Sequence, residues 1–379
     1  MTYKLFQDWY HEANIKHLIL HVHDDYLISP PFATKKCETY NKIMKYDGTV
    51  SYIDTELPTG TSKTNCVLNV NNSSWFIPYG IYDEFNTILQ LKDTTPIHHS
   101  VQSLGKGQFY SGASNGLEGF SFPLGYENTQ YCIHIKNDIV DLVPFPHLVS
   151  KAHMGTVYCN GKFYSMPRGD EPGYDKLVSF DGDRIETYTI PVDPTITRKF
   201  TDLVVSNNKL YSLPYGEQSG LLDVVEFDTT SQEIALHRLN VPDYAKKFNC
   251  MTLVDDVIIG LPYGDEHADN SNWGVLFNTI TKESKSIDIG IGTGGKYRYR
   301  SGIKFNNCAW FFPAGTPSCP VLIIDTDGNI IDRKQFNNLM FGRAVIHKDK
   351  IHIITYNIET EDHFLYIIDK SFNIESVKL

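Results

Sequence analysis

No apolar stretch of this 379-residue chain approaches the roughly 20 residues a helix needs to cross a bilayer, so membrane insertion is not expected. The opening residues Met1-Thr2-Tyr3-Lys4-Leu5-Phe6-Gln7-Asp8-Trp9-Tyr10 lack the character of a secretory signal. There is no Cys-x-x-Cys pair, no His-Glu-x-x-His, no EF-hand loop, and no Ser-His-Asp or Cys-His set held in one motif. These absences remove the common metal and nucleophile signatures, and no cofactor, metal or catalytic residue is expected. They lower the case for an enzyme without abolishing it, because a repeat protein can gather a site from distant segments. The net charge of −11 disfavours a general nucleic-acid partner. The cysteines, Cys37, Cys66, Cys132, Cys159, Cys250, Cys308 and Cys319, are odd in number and several sit in strand-like runs, which predicts free thiols. Cys308 and Cys319 are near enough in sequence to face each other, but two separate core thiols are the favoured reading.

What the chain does have is one short phrase, an apolar strand running into Pro-x-Gly, used six times. The copies end at Pro78-Tyr79-Gly80, Pro123-Leu124-Gly125, Pro167-Arg168-Gly169, Pro214-Tyr215-Gly216, Pro262-Tyr263-Gly264 and Pro313-Ala314-Gly315. The prolines recur about 44 to 51 residues apart, the size of a propeller blade. Degenerate copies flank the set at Tyr26-Leu27-Ile28-Ser29-Pro30 and Ile351-His352-Ile353-Ile354-Thr355-Tyr356, giving eight units.

Each unit reads as four short strands. In the fifth, Asp202–Ser206 turns at Asn207-Asn208 into Lys209–Leu213, and Asp223–Asp228 turns at Thr229-Thr230-Ser231 into Glu233–Leu239. Runs of β-branched and aromatic residues bounded by Asn, Asp, Ser and Gly make such a unit one antiparallel blade. The expected fold is therefore all-β: an eight-bladed β-propeller of four-stranded blades over residues 15–379. Residues 1–14, with Leu5, Phe6, Trp9 and Tyr10, are left as an N-terminal arm. The last unit carries its own fourth strand, Asn373–Leu379.

The shared frame is a strand, an Asn or Gly turn, a strand ending at a glycine break, then a third strand ending in Asp. That Asp recurs in Tyr46-Asp47, Phe180-Asp181, Phe227-Asp228, Ile324-Asp325 and Ile368-Asp369. The frame resembles kelch and galactose-oxidase-like propeller repeats across all eight units. Pro-x-Gly stands where kelch repeats carry a Gly-Gly doublet, and their regular fourth-strand tryptophan is missing. In general style the repeats are also similar to propeller proteins of phage tails and other virions.

A charge rhythm accompanies the repeat. About 15 to 17 residues before each proline stand Lys63, Lys106, Lys151, Lys199, Lys247 and Arg298, with Lys16 close to register. The stretch after Pro-x-Gly is acidic, as at Asp83-Glu84, Asp170-Glu171, Asp265-Glu266 and Glu361-Asp362. Strand alternation brings both stretches to one face, which predicts a basic ring near the channel mouth with acidic loops around it. The competing reading pairs each cation with a carboxylate of the neighbouring blade. Tyr79, Arg168, Tyr215 and Tyr263 lie between Pro and Gly, and Tyr356 has the corresponding place in unit eight; such residues serve as contact anchors or pack on the adjacent blade. The candidate binding set is thus Tyr79, Arg168, Tyr215, Tyr263, Tyr356, Lys151, Lys199, Lys247 and Arg298.

Two other motifs receive plain readings. Gly290-Ile291-Gly292-Thr293-Gly294-Gly295-Lys296 precedes an extended run and not a helix, so it is a connector between blades six and seven. His21 and His23 share one strand face without a third ligand nearby and read as paired surface histidines. Taken together, these features point to a non-catalytic interaction scaffold, as a collar, baseplate, fibre or receptor-binding part of a virus or phage. Its partners would be other protein subunits or a host surface receptor, and its location the virion or the cytoplasm. The alternative is an enzyme or carbohydrate-binding lectin using the axial face.

Overall fold

The computed structural model describes residues 13–79, 86–102, 104, 109–124, 131–146, 152–169, 172–216, 218–263, 272–291, 299–313 and 319–379. Among these, strands and turns account for nearly everything, apart from one 3-10 turn at Lys35–Cys37. The strands form eight antiparallel sheets, the blades of an eight-bladed β-propeller. Blade one is His21–His23, Tyr26–Ser29, Lys42–Tyr46 and Val50–Asp54, and blade five is Val204–Ser206, Lys209–Ser212, Asp223–Asp228 and Ile234–Arg238. In seven blades the strands neighbour each other in chain order. Blade eight departs from this, since Leu339–Phe341 and Val345–His347 both pair with Lys350–Asn357, ahead of His363–Ile368 and Ile374–Lys378.

Local chemistry explains the turns. Asn71-Asn72, Asn207-Asn208 and Asn306-Asn307 join the first two strands of blades two, five and seven, with φ of 50 and 58, 51 and 60, and 51 and 59 degrees. Positive φ at both central residues suits the right-handed twist of a two-residue hairpin, and Asn tolerates it. The Asp that ends the third strand caps the next turn. Asp228 Oδ1 accepts the amides of Thr230 and Ser231 at 2.9 and 3.1 Å, and Asp181, Asp325 and Asp369 do the same. The motif prolines close the second strand: Pro78, Pro262 and Pro313 pair with Thr64, Phe248 and Tyr299.

Burial follows position within a blade. Third strands such as Val321–Ile324 are buried throughout, whereas the fourth strand Ile330–Lys334 alternates. A strand covered on both faces reads as a continuous apolar run, and an edge strand keeps charge outward. Neighbouring blades share apolar cores: Tyr164, Leu177 and Phe227 lie between blades four and five, and Leu27, Ile354 and Leu365 between one and eight. Each such side chain contributes about 1.5–3 kcal/mol on burial. The chain divides into two compact units, Met1–Ser150 with Phe341–Leu379, and Lys151–Met340. All seven cysteines are free, and only Cys308 is less than fully buried.

Candidate functional site

At the Pro-x-Gly end, consecutive blades are joined by main-chain hydrogen bonds that alternate between two recurring positions. Lys199 N–H donates to Arg168 O at 2.9 Å and Tyr215 N–H to Lys199 O at 2.8 Å; Lys247 N–H then donates to Tyr215 O at 2.8 Å and Tyr263 N–H to Lys247 O at 2.9 Å. Blades one and two repeat the pattern through Phe32, Lys63 and Tyr79. Parallel bonds of 2.7 Å run from the amides of Ser62, Arg198 and Lys246 to the carbonyls of Ala33, Gly169 and Gly216. Gly169 and Gly216 have φ of 57 and 61 degrees, and Ala33 has 55 in the same slot, so the motif glycine answers a left-handed turn. The blade-one counterpart is thus Pro31-Phe32-Ala33, one residue beyond the expected Pro30. In blade four the carbonyl that receives the Arg168 amide belongs to Ala152 and not to Lys151. Lys151, Lys106 and Arg298 lie outside the described residues.

Three of the register lysines do not face solvent as a basic ring requires. Lys63, Lys199 and Lys247 are 1, 0 and 0% exposed. Lys63 Nζ donates to Tyr40 O at 3.0 Å and to Asn41 Oδ1, and Lys199 Nζ donates to Tyr174 O at 3.1 Å and Ile196 O at 2.5 Å. Lys247 Nζ lies 2.9 Å from Asp243, four residues earlier in the same connector. Main-chain carbonyls, the Asn41 side-chain oxygen and one nearby acid, not carboxylates of neighbouring blades, hold these amines. Burial lowers all three pKa values, that of Lys63 to about 8.

The residues after the motif proline are also largely covered. Tyr79, Tyr215 and Tyr356 are 6, 4 and 2% exposed, while Arg168 and Tyr263 are half-buried. Tyr79 meets Tyr110 edge-on at 5.8 Å, and Tyr215 meets Tyr263 at 6.0 Å, bringing two predicted anchors together across blades five and six. The Tyr356 hydroxyl accepts the Asn14 amide at 3.3 Å, and Arg168 Nη1 donates to Met154 Sδ. Residues 1–12 of the expected arm lie outside the described residues, as do all the acidic stretches named above except Glu361-Asp362. Glu361 pairs with Lys36, and Asp362 with Lys378 at 2.8 Å.

A second recurring element escaped the sequence reading. His17 Nδ1 donates to Pro30 O at 3.2 Å while Nε2 accepts from the Tyr40 hydroxyl at 2.7 Å; His153 bonds Met166 O and Tyr174 in the same way at 2.9 and 2.7 Å. The carbonyls of the same tyrosines receive Lys63 and Lys199 of the following blades, so His, Tyr and Lys form a clasp between blades. In blade one the clasp borders a cavity of about 270 Å³, lined by Lys16, His17, Tyr40, Lys42, Tyr52, His363 and Leu379. Burial holds the His17 and His363 pKa values down to about 3 and about 4, so both rings are neutral at pH 7. His363 Nε2 accepts the Lys16 amide at 3.2 Å, which leaves its proton on Nδ1.

No protein-family model matches the chain, and no curated protein sequence matches it. Solved structures do. BamB from Moraxella catarrhalis aligns with a TM-score of 0.57 at 13% identity, covering 97% of this chain and 95% of that one. The computationally designed Ika8 protein gives 0.60 at 9% identity, covering 97 and 98%. The dihydro-heme d1 dehydrogenase NirN, in complex with DHE, gives 0.57 at 10% identity, covering 97 and 74%. The likeness is one of fold.

Within that propeller His23 takes a structural place, while His21 is half-buried. His23, expected at the surface, is 3% exposed; its Nδ1 bonds Ser74 Oγ of blade two at 2.7 Å, and Ser74 Oγ donates to Asn69 Oδ1 at 3.0 Å. Among the described residues no cluster of His, Cys, Asp and Glu is arranged to hold a metal ion. Gly290 follows the fourth strand of blade six, and residues 292–298 of the glycine-rich connector lie outside the described residues.

Proposed function

We propose that this propeller is a non-catalytic interaction scaffold that meets other protein subunits, or a host surface receptor, through the Pro-x-Gly ends of its blades. We place it in a virion, as a collar, baseplate, fibre or receptor-binding part, on the style of its repeats; the cytoplasm is the alternative compartment. The observation that carries the contact face is the asymmetry between the two ends of the blades. One end is made of two-residue and Asp-capped turns, too short to wrap a partner. The other carries connections of very different length, from Asn357–His363 to Ser29–Lys42 and Thr189–Val204. Variable connections on a rigid sheet scaffold are where binding is built. Arg168 and Tyr263, the half-buried members of the expected anchor set, are the contacts proposed there.

Lysine-directed cross-linking of the purified particle tests the proposal. Links to other subunits should arise from exposed Lys35 and Lys36 at the Pro-x-Gly end and not from exposed Lys348 and Lys370 at the turn end. Replacing Arg168 and Tyr263 together with Ala should weaken the association at least about tenfold, as loss of an interface anchor does, with melting nearly unchanged. Association that persists while stability falls would make the two residues packing groups. Absence of the chain from purified particles would remove the virion from the proposal.

A further inference from the structure

We infer that the cavity between blades eight and one is a binding site for a carboxylated monosaccharide, such as the terminal residue of an acidic glycan. At about 270 Å³ it stands at the small end of ligand pockets, with room for one pyranose ring. Its lining carries two lysines, two tyrosines and two histidines against at most one acid, the α-carboxylate of Leu379, and no Asp or Glu is among the lining residues.

Lys16 is half-buried, and its Nζ lies 5.5 Å from the centre of the Tyr40 ring. Among the described residues it has no carboxylate within ion-pair distance, and an ammonium so placed is a ready partner for a ligand acid. Lys42 has only a loose contact of 3.8 Å to Asp54, with the side chains 48 and 74% exposed; an incoming carboxylate can replace so weak a pair. The neighbouring acid Asp362 is engaged with Lys378 at 2.8 Å. Neutral His17 and His363 add no competing charge, and their Nε2 atoms are taken by Tyr40 and the Lys16 amide.

Tyr52 argues for a sugar over a bare anion. It is 43% exposed, the largest exposure among the tyrosines of the cavity, and it stacks on His17 at 6.3 Å with 25° between the rings. An aromatic face held rigid from behind and open in front is a platform for the C–H face of a pyranose, while the phenol remains for a ring hydroxyl. The clasp fixes this wall: His17 cannot turn without losing both Pro30 O and Tyr40.

The inference does not depend on the virion setting, and its test uses purified full-length chain. Saturation-transfer NMR and calorimetry with D-glucuronic acid, N-acetylneuraminic acid, D-glucose and sodium sulfate as probes should show weak binding of at least one acidic sugar. Glucose and sulfate should each bind at least about tenfold more weakly, the worth of one charge-assisted hydrogen bond or one stacked ring. Lys16→Met, which keeps the backbone amide for His363, should abolish the preference for the acid; Tyr52→Ala should weaken both sugars and leave sulfate unchanged. Equal binding of acid and glucose, binding of sulfate as tight as the acidic sugar, or no binding of either acid by folded protein would each overturn the assignment.

Discussion

Glu226 offers the most direct test of how a blade interface is held. It is 5% exposed, yet two lysines and a histidine converge on it: Lys209 Nζ at 2.5 Å, Lys282 Nζ of the neighbouring blade at 2.5 Å and His237 Nε2 at 2.8 Å. Burial opposes ionisation, but the hydrogen bonds from Lys209, Lys282 and His237 outweigh it and pull the pKa from 4.5 to about 2. At about 1.4 kcal/mol per unit this is roughly 3 kcal/mol, and since Lys209 and Lys282 are 33 and 29% exposed, water screens part of it, leaving about 2–3. The folded pKa lies below the unfolded one, so the stabilisation is complete above pH 4.5 and is lost as pH falls toward 2. Glu226→Gln leaves two ammonium groups and an imidazole facing a neutral amide. Urea unfolding at pH 7 should show a loss of about 2–3 kcal/mol, from the midpoint shift and a shared slope. The gap between wild type and variant should close steadily between pH 4.5 and 2. A gap that stays constant with pH would mean lost packing, not charge; no gap at pH 7 would mean that the cations find other partners at no cost.

Gly342→Ala should be far more damaging than its size suggests. The added Cβ would lie 2.0 Å from Leu18 O, where Arg343 N–H and the Ile19–Arg343 bridge join blades eight and one. We expect about 3 kcal/mol or more of destabilisation, or no soluble protein; a melting curve close to wild type would show that the junction yields. In the native protein a thiol reagent should modify Cys308 alone, because the other six thiols are buried and burial pushes that of Cys66 up to about 12; unfolding should release all seven, and two or more disulfides would contradict the assignment.

The architecture was legible wherever a local backbone rule forces a residue type. Asn207-Asn208 reads as a tight hairpin because few residues accept two positive φ values, and Asp228 marks the end of a strand because its carboxylate caps the next turn. The interior side chains were less legible. Lys199 sits in a charge rhythm that suggests a surface, but main-chain carbonyls of Tyr174 and Ile196 hold its amine, and a carbonyl leaves no trace in a sequence pattern. Nothing but the hydrogen-bond register distinguishes Ala152 from Lys151 as the counterpart of Lys199. The His17–Tyr40 and His153–Tyr174 pairs did leave a signal, separations of 23 and 21 residues at matching places in two units, which aligning the repeats would have shown.

The alternating main-chain bonds at the Pro-x-Gly end also define what each blade can change. Between Gly169 and Arg198 the chain makes an excursion through the third and fourth strands and returns to be fastened where it left; the same holds between Ala33 and Ser62 and between Gly216 and Lys246. The outer hairpin is thus a bight with its two ends lashed by amides and carbonyls that every residue but proline can supply. An insertion within the bight lengthens one blade and leaves the lashing, and so the spacing of its neighbours, untouched. Outer hairpins can diversify one at a time over generations, while a single residue gained or lost at Lys199 or Lys247 breaks the lashing of the two blades that meet there.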